Sequence, residues 1–392
     1  MQALMLIVAG LLLAFDFQNL LSWWRVRVIA PVAGRSEAFT IIVPLFGHPR
    51  YFAGRDRLLD YQANVLVALD VTPLVMQAFA DELEEEGWTV GRYTLADPNP
   101  ASLVKAGLED VLTPIALRLD ADTELSAGLR EAVAAVIADG ADLCSVKCEV
   151  ANTVNLCTRM QHLEYRMAML GRHIRPWLTS GACFIGKTDA LRQLYAQHSL
   201  WTPGEDIETG VVAKALKLRV RHCDFVVSTD APESWAALAK QRRLWWAGNF
   251  RHWTVNLDKH LVQRPVMALY ASAGIWSSLY WKWWGMIDWH ALPQTVGMLW
   301  AFYVVATFVA NIQVRSRYML LVPFYALAQG MVMPVAGACT YLRLAHSRCD
   351  LGRYRFGYRR RSPDPLPVRH TLLAPARPVL AGPKTLDVRT RT

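Results

Sequence analysis

The sequence has little charge, and its body has no excess of either sign. Only 19% of the 392 residues are charged, whereas 53% are apolar or aromatic. This composition excludes disorder along the whole chain. The net charge of +9 comes entirely from the residues after Leu342, which include 12 basic and 3 acidic residues. The first 342 residues contain 30 basic and 30 acidic residues. A basic groove inside the folded body is therefore not expected, and we predict no nucleic-acid partner.

Cysteine is also sparse and irregularly spaced. The seven cysteines are odd in number, and the nearest pair, Cys144 and Cys148, has no second pair of ligands at metal-binding spacing. We therefore predict reduced, mostly buried cytosolic thiols, without a disulfide framework.

The first apolar run lacks the features of a secretory signal. Residues 3–15 are uninterrupted, and the first basic residues, Arg25 and Arg27, come after the run. A signal peptide would place positive charge before the run and a small-residue cleavage site after it. We predict an anchor helix within residues 1–24, with a buried core helix as the alternative.

Three uncharged runs of 17, 24 and 25 residues occupy 265–281, 291–314 and 318–342. Crossing a membrane takes about 20 apolar residues. Three crossings would place the basic tail on the side opposite the body, so we predict that the last run, which contains Pro323 and Pro334, bends back. The expected order is an anchor (1–24), a cytosolic domain (25–240), an interfacial helix (241–263), membrane helices (264–342) and a disordered tail attracted to membrane lipids (343–392), all at the plasma membrane.

The middle of the chain alternates short apolar strands with helical stretches. The predicted strands are Phe39–Leu45, 65–69, Ile115–Leu119 and 142–146, and one of the predicted helices covers 126–138. This alternation predicts an α/β domain with a mainly parallel sheet. Ligands of such domains bind at the carboxyl ends of the strands.

Carboxylates occur at two of these strand ends. Asp70 follows the second strand, and Asp120 and Asp122 end the third. Alternate residues of a strand point the same way, so the last two carboxylates converge, and hard oxygen ligands suit Mg²⁺ or Mn²⁺. A helix N-cap pair is the alternative, and position alone does not separate the two.

Two further motifs complete an ordered series. Glu205 and Asp206 lie in a predicted turn, and Gln241 precedes the paired Trp245 and Trp246 in a basic stretch. Taken separately, these motifs are typical of a solvated loop and of a membrane-facing helix. Together with the strand-end aspartates, they form an ordered series of motifs that chance rarely produces.

From about Phe39 to Phe250 the series resembles the family 2 glycosyltransferases, in particular the membrane-embedded cellulose, chitin and hyaluronan synthases. The resemblance implies a nucleotide-sugar-binding A-type domain flanked by transmembrane helices. It also implies a UDP-sugar donor, a carbohydrate or lipid acceptor, and Mg²⁺ or Mn²⁺ as cofactor.

The resemblance also assigns roles to residues of this sequence. Asp206 is the expected general base, with Glu205 beside it, and Asp122 with Asp120 is expected to bind the metal. The remaining expectations are nucleotide-sugar contacts at Asp70, Lys105, Asp120, Gln241 and Arg243, and acceptor or sugar contacts at Thr179, Ser180, Gly181, Trp245 and Trp246.

One motif departs from the family pattern Q-x-x-R-W. Leu244 stands where the family has arginine, so Arg243 or Arg242 is expected to supply the cation for the diphosphate. We expect inverting transfer to a growing β-linked polysaccharide. The alternatives are a single addition to a lipid acceptor and an inactive membrane adaptor, which Leu244 favours.

Overall fold

The computed structural model describes residues 18–177, 179–256, 290, 292–327, 329 and 332–347. Its centre is one eight-stranded sheet in the order β3-β2-β1-β4-β7-β6-β8-β5. The strands are β1 (Phe39–Leu45), β2 (Val65–Asp70), β3 (Thr89–Tyr93), β4 (Ile115–Leu119), β5 (Glu124–Leu125), β6 (Leu143–Val150), β7 (Cys183–Lys187) and β8 (Val220–Thr229). Most of the predicted anchor (1–17), the predicted run 265–281 and the tail after residue 347 lie outside the described residues.

The sheet confirms the predicted α/β class. Strands β1, β2, β3 and β4 pair in parallel, as do β6 and β8. The strands predicted at Phe39–Leu45 and Ile115–Leu119 have the predicted bounds, and β2 extends one residue further, to Asp70. The sequence did not reveal that β7 lies antiparallel between β4 and β6.

Ten α-helices accompany the sheet in the described residues. They are α1 (Leu74–Glu85), α2 (Pro100–Asp110), α3 (Leu129–Asp139), α4 (Leu156–Arg172), α5 (Thr188–Gln197), α6 (Glu205–Ala215), α7 (Trp235–Val255), α8 (Leu292–Ala310), α9 (Val322–Leu327) and α10 (Met333–Ser347). Asn99 and Asn155 begin α2 and α4 with capping boxes. These caps satisfy the amide groups that a helix start leaves free.

The core lies on both faces of the sheet. Alternate residues of each strand point to opposite faces, so that Ile41 and Leu117 pack in one cluster with α1 and α3, whereas Ile42 and Ala116 pack in the other with α2 and α5. Because both faces are covered, β1 and β2 are apolar along most of their length, as predicted.

Helices α7 and α10 pack closely along each other. A Cβ added at Gly337 of α10 would lie 2.5 Å from Cβ of Trp246 on α7, so glycine permits the approach. Helix α7 contains most of the predicted interfacial segment and begins before it, at Trp235. None of the helices in the described ranges has the length and apolarity that crossing a membrane requires.

Candidate active site

The antiparallel strand β7 brings a second segment to the edge where β4 ends. Leu119 pairs with Cys183, and the amide of Asp120 donates to the carbonyl of Ala182 at 2.9 Å. The segment before β7, which includes Ser180 and Gly181, therefore runs beside Asp120. This neighbourhood depends on the direction of β7.

Arg118 joins the two acidic motifs. Its Nη2 lies 3.1 Å from Oδ1 of Asp120 and 3.1 Å from Oε1 of Glu205, and its side chain is only 1% exposed. A Cβ added at Gly181 would lie 3.7 to 3.9 Å from Arg118, Glu205 and Asp206. The predicted metal-binding, acceptor-lining and catalytic segments thus meet around one buried guanidinium.

Glu205 and Asp206 occupy the first turn of α6, directly after Gly204, which has φ +97°. Oε2 of Glu205 accepts a hydrogen bond from Thr202 at 3.0 Å, and the carbonyl of Asp206 accepts one from Thr179 at 2.8 Å. The amide of Ile207 donates to Oδ1 of Asp206 at 2.9 Å. The amide groups and dipole of a helix N-terminus favour anionic side chains there.

The two acids differ in their protonation behaviour. Burial, followed by the charge of Glu205, raises the pKa of Asp206 to about 6. Burial would also raise the pKa of Glu205, but the positive charge of Arg118 and the hydrogen bonds to the carboxylate together outweigh burial, and the pKa of Glu205 is lowered. Glu205 is therefore a fixed anion, whereas Asp206 can exchange a proton near neutral pH.

Two glycines set the position of α7 against this turn. A Cβ added at Gly248 would lie 2.8 Å from the carbonyl oxygen of Pro203 and 2.9 Å from Cα of Gly204. A buried ion pair between Arg251 and Glu208, 3.1 Å apart, also joins α7 to α6. Larger residues at the two glycines would separate the helix from the turn.

The Gln-Trp motif lies on α7 with its residues in different environments. Oε1 of Gln241 is buried and has no hydrogen-bond partner within the described chain. Arg242 pairs with Glu164 at 2.7 Å and covers the ring of Trp245 at 4.1 Å. Of the two arginines expected to supply the cation, Arg242 is thus paired with Glu164, whereas Arg243 is exposed.

Arg172 is a partly buried cation that the sequence did not single out. Burial lowers its pKa to about 10, and the charge of Asp206 opposes that shift. Its Nη1 has no hydrogen-bond partner in the described part of the chain. Basic residues are common in the last turn of a helix, so the sequence does not distinguish Arg172 from other helix-end arginines, and only the fold does. By contrast, the sequence does mark Arg118 as a candidate site residue, because it is the one charged residue of the apolar strand β4 and lies two residues before Asp120.

The metal-binding candidates offer oxygen ligands at the sheet edge. Asp122 is exposed, and Asp120 is held through one oxygen by Arg118. Burial raises the pKa of Asp120 to about 6, and the nearby Asp122 contributes, so negative charge here is incompletely compensated. Two hard carboxylates fit Mg²⁺ or Mn²⁺, which leave other coordination positions for phosphate and water.

The remaining nucleotide candidates lie on the same half of the sheet. Asp70 is buried at the end of β2, where its Oδ1 accepts a hydrogen bond from the hydroxyl of Thr72 at 2.6 Å. Lys105 lies in the second turn of α2, which packs on β1 and β2. Within the described residues, neither side chain hydrogen-bonds to the acids around Arg118.

Comparisons with known proteins give a family and a fold. Residues 115–333 match the family model described as glycosyl transferase family group 2. A mannosyltransferase from Pyrobaculum calidifontis, solved with GDP-Man and Mn²⁺, superposes with a TM-score of 0.50 at 16% identity, over 86% of this chain and 99% of that one. S. aureus TarS, solved with UDP-GlcNAc, gives 0.37 at 16% identity, over 78% and 91% of the two chains. No curated protein sequence matches the chain significantly.

Proposed function

Because the chain belongs to glycosyl transferase family group 2 and is a glycosyltransferase, we propose that it moves a sugar from a nucleotide sugar to an acceptor hydroxyl in one direct displacement. Attack from the face opposite the leaving diphosphate inverts the anomeric carbon, so an α-linked donor gives a β-linked product. The observation that carries this proposal is the bridge from Asp120 through Arg118 to Glu205, beside which Asp206 lies.

Asp206 is the proposed general base. A pKa raised to about 6 leaves its carboxylate ionised at neutral pH and still basic enough to take the proton of the acceptor hydroxyl. Glu205 is not available as a nucleophile because both of its oxygens are held, one by Arg118 and the other by Thr202. One displacement assisted by a base fits this arrangement better than a covalent intermediate.

The leaving diphosphate requires positive charge and hydrogen-bond donors. Asp120 and Asp122 would hold Mg²⁺ or Mn²⁺, which when bound offsets the charge that develops on the diphosphate. We assign the place of the missing motif arginine to Arg172, because its Nη1 is buried without a hydrogen-bond partner in the described residues and the charge of Asp206 raises its pKa. Gln241 would donate its amide N–H to the same diphosphate.

We propose that the enzyme works at the cytosolic face of the plasma membrane. The helical segments after residue 290 expose large apolar side chains, among them Val305 at 62%, Phe324 at 59% and Val335 at 58%. Exposed apolar side chains of this size suit contact with another apolar phase. The proposal requires only that this face lies against lipid.

The acceptor has two candidates. A growing β-linked polysaccharide is favoured by the resemblance to polymer synthases. A lipid with an anionic headgroup is favoured by a cavity of about 600 Å³ lined by Arg159, Arg166 and Arg317. Along α4, at about 1.5 Å per residue, Arg166 lies about 9 Å from Arg172. The geometry therefore favours the lipid acceptor, because a cationic cavity beside the exposed apolar helices binds such a headgroup.

The test is release of the nucleoside diphosphate and analysis of the product. Full-length protein in vesicles is incubated with UDP-Glc, UDP-GlcNAc, UDP-GlcA or GDP-Man and Mg²⁺ or Mn²⁺. Metal-dependent release that Asp206→Asn abolishes is expected, and release by neither metal with any donor would refute the transferase proposal. A single lipid-soluble product supports the lipid acceptor, and a ladder of water-soluble polymers supports the polysaccharide.

A further inference from the structure

A cluster of two histidines and one aspartate lies apart from the acids around Arg118. His173 follows the last residue of α4, and His222 and Asp224 lie on β8. The chain before β1 crosses the cluster, since the amide of Arg27 donates to the carbonyl of His173 at 3.1 Å and the amide of Ile29 to that of His222 at 2.8 Å. Three distant parts of the sequence therefore meet at this point.

The spacing of the cluster is close to that of metal ligands. Oδ1 of Asp224 lies 3.5 Å from Nε2 of His173 and 3.7 Å from Nε2 of His222. The ligand atoms of the three residues all lie within 4.8 Å of one another. Tetrahedral Zn²⁺, with bonds of about 2.0–2.1 Å, holds its ligand atoms roughly 3.4 Å apart. The two distances to Asp224 are only slightly longer.

The other nitrogen of each histidine has a partner that orients the ring. Nδ1 of His173 lies 3.4 Å from the carbonyl oxygen of Ser22, which can only accept a hydrogen bond. Nδ1 of His222 lies 2.9 Å from the hydroxyl of Ser145, which can accept one. With both Nδ1 atoms donating, both Nε2 atoms present lone pairs toward Asp224, as metal-binding histidines do.

His222 supplies a second, independent observation. Its side chain is fully buried, and within the described residues its Nε2 has no hydrogen-bond partner. A buried polar nitrogen without a partner is unfavourable. Arg25 pairs with the other carboxylate oxygen of Asp224, which leaves Oδ1 for the histidines.

We propose that Nε2 of His173, Nε2 of His222 and Oδ1 of Asp224 bind one Zn²⁺ ion, with water as the fourth ligand. The ion holds the end of α4, strand β8 and the segment before β1 together. Arg172, directly before His173, is fixed with the end of α4, so the site also positions the guanidinium assigned to the diphosphate. Only this last effect rests on the proposed function; binding of the metal does not.

The test measures bound metal on the full-length chain. Protein stripped with a chelator is titrated with Zn²⁺ in excess Mg²⁺, which occupies the carboxylates at the end of β4, and bound zinc is counted after gel filtration. One equivalent is expected, and Asp224→Asn and His173→Gln should each weaken binding at least 100-fold. His48→Gln, at an exposed histidine outside the cluster, should bind as the wild type does.

The choice of variants keeps the result interpretable. Because the buried His222 contributes to the core, the test relies on Asp224, whose side chain is 42% exposed and whose replacement by asparagine keeps its shape. Circular dichroism verifies that the variants fold. Equal zinc binding by the wild type and Asp224→Asn, or no retained zinc in the wild type, would overturn the proposal. Loss of zinc on Asp122→Asn would also overturn it, since the ion would then lie at the β4 edge.

Discussion

Replacing Asp206 by asparagine should abolish sugar transfer and stabilise the fold at neutral pH. The base is lost because an amide cannot take the acceptor proton, which typically costs about 10²–10⁴-fold in rate. The stabilisation arises because the folded protein holds this carboxylate where ionisation is unfavourable. An asparagine oxygen can still accept the hydrogen bond from the amide of Ile207, so the local contact survives.

The size of the stabilisation follows from the pKa of Asp206. The site raises that pKa from 3.8 to about 6, and at about 1.4 kcal/mol per unit the ionised group destabilises the fold by up to about 3 kcal/mol. Below pH 4 the carboxyl is protonated in both the folded and the unfolded state, so the penalty is absent. It develops as the pH rises from about 4 to about 6 and is complete above that range.

Thermal unfolding of the full-length wild type and Asp206→Asn at pH 4.5 and pH 7.5 measures the effect. At about 2 °C per kcal/mol, the variant should melt up to about 6 °C higher than the wild type at pH 7.5 and only slightly higher at pH 4.5. Donor binding should remain within about twofold. Asp189→Asn is the matched control, because Asp189 is also an acid in the first turn of a helix, but its side chain is 87% exposed.

Two results would refute this reasoning. A variant less stable than the wild type at pH 7.5 would mean that Asp206 is stabilised as an anion. An equal gain at both pH values would mean that the effect comes from something other than ionisation. Near-normal transfer by the variant would separately remove Asp206 from the role of base.

Three further outcomes are expected. Transfer should fall below about pH 6, because Asp120 and Asp206 both take up protons there; a profile flat from pH 5 to pH 8 would contradict this. Arg172→Gln should lower kcat by about 10²–10³-fold with little change in the KM for the nucleotide sugar, as expected for a hydrogen-bond donor that stabilises developing charge. Steady-state kinetics measure both constants, and an unchanged kcat would contradict the assignment. Gly248→Ala should lose activity because its Cβ meets backbone at 2.8 Å, whereas Gly297→Ala, whose Cβ would have no neighbour within 4 Å among the described residues, should stay active and fully folded.

The sequence predicted the parallel half of the sheet well. Strands β1 and β4 are short apolar runs between polar segments, and burial on both faces accounts for that pattern. Asp70 lies at the end of β2 and Asp120 directly after β4, as the sequence predicted. The roles that the family resemblance gives to these residues remain predictions.

What the sequence could not supply were contacts between distant segments. The direction of β7 places Gly181 beside Asp120, and nothing in its apolar pattern distinguishes an antiparallel from a parallel strand. Arg242 and Arg172 are both basic residues of helices, and only tertiary packing pairs the first with Glu164 and leaves the second near Asp206. The proposal that Arg172 supplies the cation therefore rests on the fold.

The shared guanidinium of Arg118 has a consequence for the order of binding. One cation balances both Asp120, which we propose to bind the donor's metal, and Glu205, beside the proposed base. A metal held by Asp120 and Asp122 would offset the charge of Asp120, which would leave the charge of Arg118 to Glu205 and weaken the repulsion that Glu205 exerts on Asp206. Asp206 then ionises more readily, so arrival of the donor prepares the base for the acceptor. The proposed mechanism therefore predicts a sequential kinetic scheme in which the nucleotide sugar binds first and the free nucleoside diphosphate leaves last.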